Sequence, residues 1–213
     1  MTDAAPYAPD VLVLLAHPQL EHSRANRAMA AAARAAGPRV AVRDLYALYP
    51  DYAIDVEAEQ AALQPARLIV WQHPLHWYHM PPLLKLWVDE VFAFGWAYGA
   101  GGRQLQGKDL WLAVSTGGPD SSYRPDGHNR HFFDAFLPPY EQTAALCGLR
   151  FLPPLVLHGA HRADERALAE HAAVYAQRLA SYPDWPELDR VPPCVVEQVP
   201  ASARPMLEPS EAS

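Results

Sequence analysis

Three short stretches hold groups that could do chemistry together. The first reads AHPQLEHSRAN, from Ala16 to Asn26. In it Ser23 is placed to cap a helix, and Asn26, one turn on, faces the same way. Free backbone N–H groups and the positive helix end there would accept a phosphate. The candidates are His17, Ser23, Arg24, Ala25 and Asn26. The second stretch, Pro74-Leu75-His76-Trp77, concentrates rigid and planar groups where a plain connection needs none. The third, STGGPDSSY from Ser115 to Tyr123, sets Gly117 and Gly118 behind Ser115 and Thr116, so that backbone amides can approach a ligand closely. Each stretch has a plainer alternative. Ser23 can be only a helix cap and His17 a satisfied polar residue; Trp77 and Tyr78 can be core or dimer-contact aromatics; a lone Thr-Gly-Gly can be a tight turn.

The elements that must position these stretches are legible in the apolar pattern. Five strand-like runs, Val11–Leu15, Val40–Asp44, Leu68–Gln72, Leu110–Ser115 and Phe151–Leu157, alternate with helical stretches, which predicts βαβ units and a parallel sheet. The helices are read at Ser23 to Ala36, ended by Gly37-Pro38, then Asp55 to Leu63, Pro82 to Phe94, Phe132 to Cys147 and Ala163 to Ser181. The expected fold class is α/β: a flavodoxin-like three-layer sandwich with a five-stranded parallel sheet of order 2-1-3-4-5. In such a sheet the ligand sits at the carboxyl ends of the strands near the switch point, so the loops after strands one, three and four should converge. Together they would offer a phosphate site, an aromatic wall and a glycine-lined edge. Flavin mononucleotide would use all three. The chain has neither the GxGxxG of dinucleotide folds nor the lysine of a Walker loop, which argues against nucleoside triphosphate chemistry.

Composition sets the outer bounds. A formal charge of −7 argues against a dedicated nucleic-acid binder. No apolar run is long enough for a membrane span, and the N-terminus has no basic segment followed by an apolar one, so a cytoplasmic protein is expected. Cys147 and Cys194 sit in unrelated contexts without metal-ligand spacing, so neither a disulfide nor a metal site is expected. The expected division is a flavin-binding domain over 1–182 and a Pro-rich tail over 183–213, extended or disordered.

At these residues the chain resembles the flavodoxin-like NAD(P)H:quinone oxidoreductase family. The resemblance is closest to its KefF-type branch, the ancillary flavoproteins of glutathione-gated potassium efflux systems. It runs from about Val11 to Ser181 and is carried by AHP (Ala16 to Pro18), SRAN (Ser23 to Asn26) and LYALYPDYAID (Leu45 to Asp55). WQHPLHWYHMPPLLKLWVDEVF (Trp71 to Phe92), GWAYG (Gly95 to Gly99), STGG (Ser115 to Gly118) and CGL before FLPP (Cys147 to Pro154) complete it. The resemblance implies that His17 and Ser23 to Asn26 hold the flavin phosphate side, while Pro74, Leu75, His76 and Trp77, with Ser115, Thr116, Gly117 and Gly118, line the ring. It implies FMN, with FAD as the alternative, NAD(P)H as hydride donor and a quinone as acceptor in a ping-pong cycle. Tyr123 matches the family's catalytic tyrosine. His128 falls one residue before the place of the family's histidine, and Asn129 is the alternative occupant. The resemblance further implies a homodimer to which Trp77, Tyr78, Trp96 and Tyr98 contribute, and a potassium efflux antiporter at the inner membrane as a partner.

Overall fold

A computed structural model describes residues 9–191. Val11–Leu15 (β1), Val40–Asp44 (β2), Leu68–Pro74 (β3), Asp109–Ser115 (β4) and Arg150–Leu157 (β5) form one parallel sheet in the order β2-β1-β3-β4-β5, as the alternation predicts. The side chains of β1 show how one sequence serves two faces. Leu12 and Leu14 enter one core and Val11 and Val13 the other, the period of two that a strand buried on both sides requires.

Arg24–Ala35 (α1) and Glu165–Ser181 (α6) cover the valine face with Met29, Ala33, Tyr175 and Leu179. Val56–Leu63 (α3), Pro82–Val91 (α4) and Pro138–Cys147 (α5) cover the leucine face with Leu63, Leu84, Trp87 and Tyr140. A single turn, Leu45–Leu48 (α2), follows β2 and was not expected from the pattern. Three further boundaries differ from the sequence reading. The stretch expected as one helix from Phe132 to Cys147 is a 3-10 turn at Phe133–Phe136 followed by α5, because Pro138 and Pro139 have no N–H for a preceding turn and instead start a helix. The helix expected to reach Phe94 ends at Val91 and leaves Phe94 69% exposed. β3 runs two residues past its expected end because His73 and Pro74 continue in register with Val114 and Ser115. Pro153 and Pro154 lie in β5, the sheet edge, where a missing ladder donor is tolerated; the register shifts beside them between Trp111 and Ala113.

The packed unit continues beyond the expected domain end at residue 182. Trp185 and Leu188 are buried in the valine-face core, with the Trp185 ring 4.8 Å from Trp111 and under the Arg178 guanidinium at 4.5 Å. The start of the expected tail, Pro183–Val191, is therefore part of the core's cover. The rest of that tail, with Cys194, lies outside the described residues. Among the described residues no helix is long and apolar enough to cross a membrane.

Candidate active site

The parallel sheet brings the ends of β1, β3 and β4 together, and the loops that leave them meet. Ser23 caps α1 by accepting from Asn26 N at 3.2 Å. Among the described residues the first N–H groups of α1, at Arg24 and Ala25, have no acceptor, and the first turn carries no acidic side chain to cancel the positive end. Asn26 is 1% exposed and acts as a pin. Its side-chain amide donates to Ser23 Oγ at 3.2 Å and to Ser115 Oγ at 2.9 Å, while its backbone carbonyl accepts from Gln72 Nε2 at 3.1 Å. The first turn of α1 is thus tied to β3 and β4. Arg24 is exposed and donates to the Ala163 carbonyl at 3.2 Å.

Beyond β3, His76 and His79 exchange backbone hydrogen bonds of 2.9 and 3.0 Å around Trp77 and Tyr78. Both central residues have positive φ, 48° and 65°, the left-handed pair of a two-residue hairpin turn that Asn-Gly normally supplies. The sequence gives that turn to two aromatics, and the result is a Trp77 ring 93% exposed. Tyr78 is held, stacked on Phe136 at 4.9 Å and donating to Asn129 Oδ1 at 3.3 Å. Leu75 N donates to the Ser115 carbonyl at 2.8 Å, which joins the hairpin to the glycine loop. His17 and His76 face each other edge-on at 6.2 Å. Burial first, and His76 second, lower the His17 pKa to about 4 against a smaller opposing pull from Glu21. His17 Nδ1 accepts from Gln19 N at 3.1 Å.

One pocket of about 270 Å³ takes Leu75, Trp77 and Tyr78 from the hairpin and Gly117, Gly118, Ser122, Tyr123, His128 and Asn129 from the β4 loop. Its volume lies just under the roughly 300–1,000 Å³ usual for whole small ligands, the size for a flat fragment rather than a dinucleotide. Among the described residues the N–H groups of Gly117 and Gly118 find no acceptor, so two donors are open at its edge. A Cβ on Gly118 would stand 3.4 Å from Ser122 Cβ and 3.6 Å from Tyr123 Cε2. Tyr123 is nearly buried, and burial raises its pKa, so the hydroxyl stays protonated and can donate. His128 is exposed at the rim; Asn129 is tied down by N–H donation to the Ser122 carbonyl at 2.9 Å. Gly127 lets this turn close, since a Cβ there would meet Ser121 O at 2.4 Å.

Apart from Ser23 and Arg24 at the start of α1, the expected residues fall into two groups. Leu75, Trp77, Gly117, Gly118, Tyr123 and His128 line the pocket, with His76 beside it and His17 linking it to the α1 end. Ala25, Asn26, Pro74, Ser115 and Thr116 are buried beneath and hold the loops in place. The loop after β5 was missed. His158 and His161 reach the glycine loop from there, His161 lying 3.4 Å from where a Gly117 Cβ would be. Its signal was available as HGAH directly after a strand. A larger open groove of about 860 Å³ runs along α1 and α6 and reaches Asp44 at the end of β2 and Leu20, Glu21 and Arg24 after β1, but it carries none of the loop aromatics or glycines. Among the described residues no cluster of three or more His, Cys, Asp or Glu is placed to hold a metal ion.

Open amides at a helix start, a flat pocket with two free backbone donors and an aromatic wall fit a flavin. The chain is similar to several solved structures. A chain described as a thermophilic tryptophan halogenase from Streptomycin violaceusniger is 44% identical, with a TM-score of 0.75 over 78% of this chain and 96% of that one. General stress protein 14 from Treponema denticola, solved in complex with FMN, is 39% identical, with a TM-score of 0.75 over 80% and 98%. An NADPH-quinone reductase from P. pentosaceus is 28% identical, with a TM-score of 0.71 over 79% and 96%. Residues 9–179 match the family described as flavodoxin-like fold, and with the strand order and the converging loops this establishes that the chain belongs to that family.

Proposed function

We propose that this chain is a flavin-dependent NAD(P)H:quinone oxidoreductase that holds FMN. The observation that carries the reading is the single pocket that joins an aromatic hairpin, two unpaired backbone N–H groups and a buried, protonated tyrosine beside an open helix start. A neighbour of 39% identity solved with FMN and another described as an NADPH-quinone reductase support it. A bound flavin supplies two-electron carriage of hydride between a nicotinamide and a quinone that visit in turn.

The protein's part is placement and polarity. The Arg24 and Ala25 N–H groups, with the α1 dipole, hold a phosphate. The open N–H groups of Gly117 and Gly118 would hold the edge of the ring as fixed donors; such donors are worth roughly 2.7–4 kcal/mol apiece in oxyanion sites. Trp77 and Leu75 wall the ring and thin the water around it. Tyr123 donates a proton to a substrate oxygen, and His128 stands at the mouth. The reading predicts a yellow protein whose released flavin is FMN and which oxidises NADPH or NADH when menadione is supplied. A colourless preparation that neither FMN nor FAD reconstitutes would sink it.

The exposed aromatics at the pocket, Trp77 and Tyr78, support a homodimer closing over the site. Sedimentation at micromolar concentration tests it. A second role, as ancillary subunit of a glutathione-gated potassium efflux antiporter, has one supporting feature. The Gly95–Gly99 motif makes a tight shelf in which a Cβ on Gly99 would lie 2.3 Å from the ring of the exposed Phe94. Co-purification with the antiporter's cytosolic domain, lost in Phe94→Ser, tests that role.

A further inference from the structure

The 3-10 turn at Phe133–Phe136 lines no part of the pocket, yet it touches both of its walls. The half-buried Phe136 ring stacks on Tyr78 of the hairpin, with 4.9 Å between centroids and 18° between planes. The same ring meets Tyr123 of the β4 loop edge-on, at 5.9 Å and 86°. Phe133 also meets Tyr123 edge-on, at 5.5 Å, but its second ring contact is His158 at 5.4 Å, on the side away from the hairpin. The turn is a fixed platform. Leu137, 4% exposed, closes it by N–H donation to the Asp134 carbonyl at 3.1 Å, and Pro138 and Pro139 fix the backbone that runs on into α5. Four residues beyond Phe136, the buried Tyr140 stacks on His79 at 5.1 Å, so two successive hairpin residues rest on rings from one short segment. The hairpin needs that support. Its Trp77–Tyr78 tip holds a left-handed backbone that aromatic residues disfavour, and the Trp77 ring stands in solvent. The tip is held instead by Tyr78, through its stack on Phe136 and its hydroxyl donating to Asn129 Oδ1 at 3.3 Å.

We propose that Phe136 is a positioning residue that ties the hairpin wall to Tyr123 and so sets the width of the slot that receives the quinone ring; this rests on the quinone reductase reading. It acts through Tyr78 and does not itself touch the substrate. A parallel contact to one ring and an edge contact to another define both a distance and an angle between the walls. An aliphatic side chain of similar bulk has no plane and defines neither. Without the Phe136 ring the hairpin keeps its own two backbone bonds but can swing away from the β4 loop, and a flat substrate loses one wall. Tyr123 keeps Phe133 and His158 around it and so keeps its place. Leu75 stays joined to the Ser115 carbonyl below the swinging tip. Phe136 therefore governs the hold on a flat substrate, while the rate at saturation stays with Tyr123.

The test uses the full chain loaded with FMN and compares wild type with Phe136→Leu, Tyr78→Leu and Phe133→Leu. Phe136→Leu should raise the KM for menadione about 10-fold, the size of one aromatic pair lost, and change kcat by less than about twofold. Tyr78→Leu removes the same stack from its exposed partner, where the fold is not at stake, and should reproduce that rise. Phe133→Leu should act on kcat rather than KM. Amide exchange needs no turnover: the His76 and His79 N–H groups, each bonded to the other's carbonyl, should exchange about 10-fold faster in Phe136→Leu and Tyr78→Leu and at the wild-type rate in Phe133→Leu. A menadione KM unmoved in both Phe136→Leu and Tyr78→Leu overturns the proposal, as does hairpin exchange at the wild-type rate in both, or an equal KM rise in Phe133→Leu. Wild-type holoprotein that cannot reduce menadione at all overturns the reductase reading instead, and amide exchange then decides alone whether Phe136 holds the hairpin.

Discussion

Burial holds the His73 imidazole neutral, with its pKa lowered to about 4, beneath the Pro74 carbonyl that its Nδ1 contacts at 2.9 Å. The unfolded chain takes up that proton near 6.5 and the folded chain only near 4. Between these values the unfolded state binds more protons, so folding stability is full above 6.5 and is lost as pH falls toward 4. A shift of that size corresponds to about 3 kcal/mol for one fully buried group. Urea midpoints measured from pH 7.5 to 4.5 should fall, and His73→Phe, which keeps an aromatic against Tyr140, should flatten the slope; an unchanged slope would place the titration elsewhere. At Tyr123 the expectation concerns rate. Tyr123→Phe should lower menadione reduction about 100-fold while leaving FMN bound, because it removes a proton donor and little volume. Stopped-flow measurement of the two half-reactions separates that outcome from a general loss. Among single residues, the glycine pair was legible from its type and spacing, and Tyr123 only from the family resemblance. The His158 contact with Thr116 was not legible, because it joins loops 42 positions apart.

Elements show a different division. The strands and their order follow from apolar runs that need two buried faces, a pattern any βαβ chain must write into its sequence. The His76–His79 hairpin was legible only as a cluster of rigid groups, because its turn type runs against local preference. Trp77 at φ 48° occupies a position that favours Asn or Gly. With the ring in solvent, no packing offsets the strain, so Trp77→Asn should raise stability by about 0.5–1 kcal/mol while weakening FMN and quinone binding. Thermal melts alongside flavin titrations check both halves; a variant that binds FMN normally would remove Trp77 from the site. The Phe132 to Cys147 stretch was misread for a local reason, since two prolines inside an apolar pattern stop one helix and begin another.

On the scale of the whole molecule, the two sheet faces are closed by unlike means. The leucine face is covered by α3, α4 and α5, with Lys108 Nζ donating to the carbonyls of Leu63, Gln64 and Ala66 at the end of α3. The valine face needs the return of Pro183–Val191, which composition alone marked as tail. Proline-rich sequence can pack wherever an aromatic such as Trp185 supplies the buried area. Trp185→Ala should cost about 3–5 kcal/mol, read as a fall in the urea midpoint, and should leave FMN affinity at its pocket on the far ends of the strands nearly intact. Trp111 and Trp185 are shut in that core, whereas Trp77 stands in water at the pocket mouth. The protein therefore carries its own optical probe. Acrylamide should quench the fluorescence of Trp77 ahead of its buried counterparts, and a ligand or partner covering the mouth should restore that emission in proportion to occupancy.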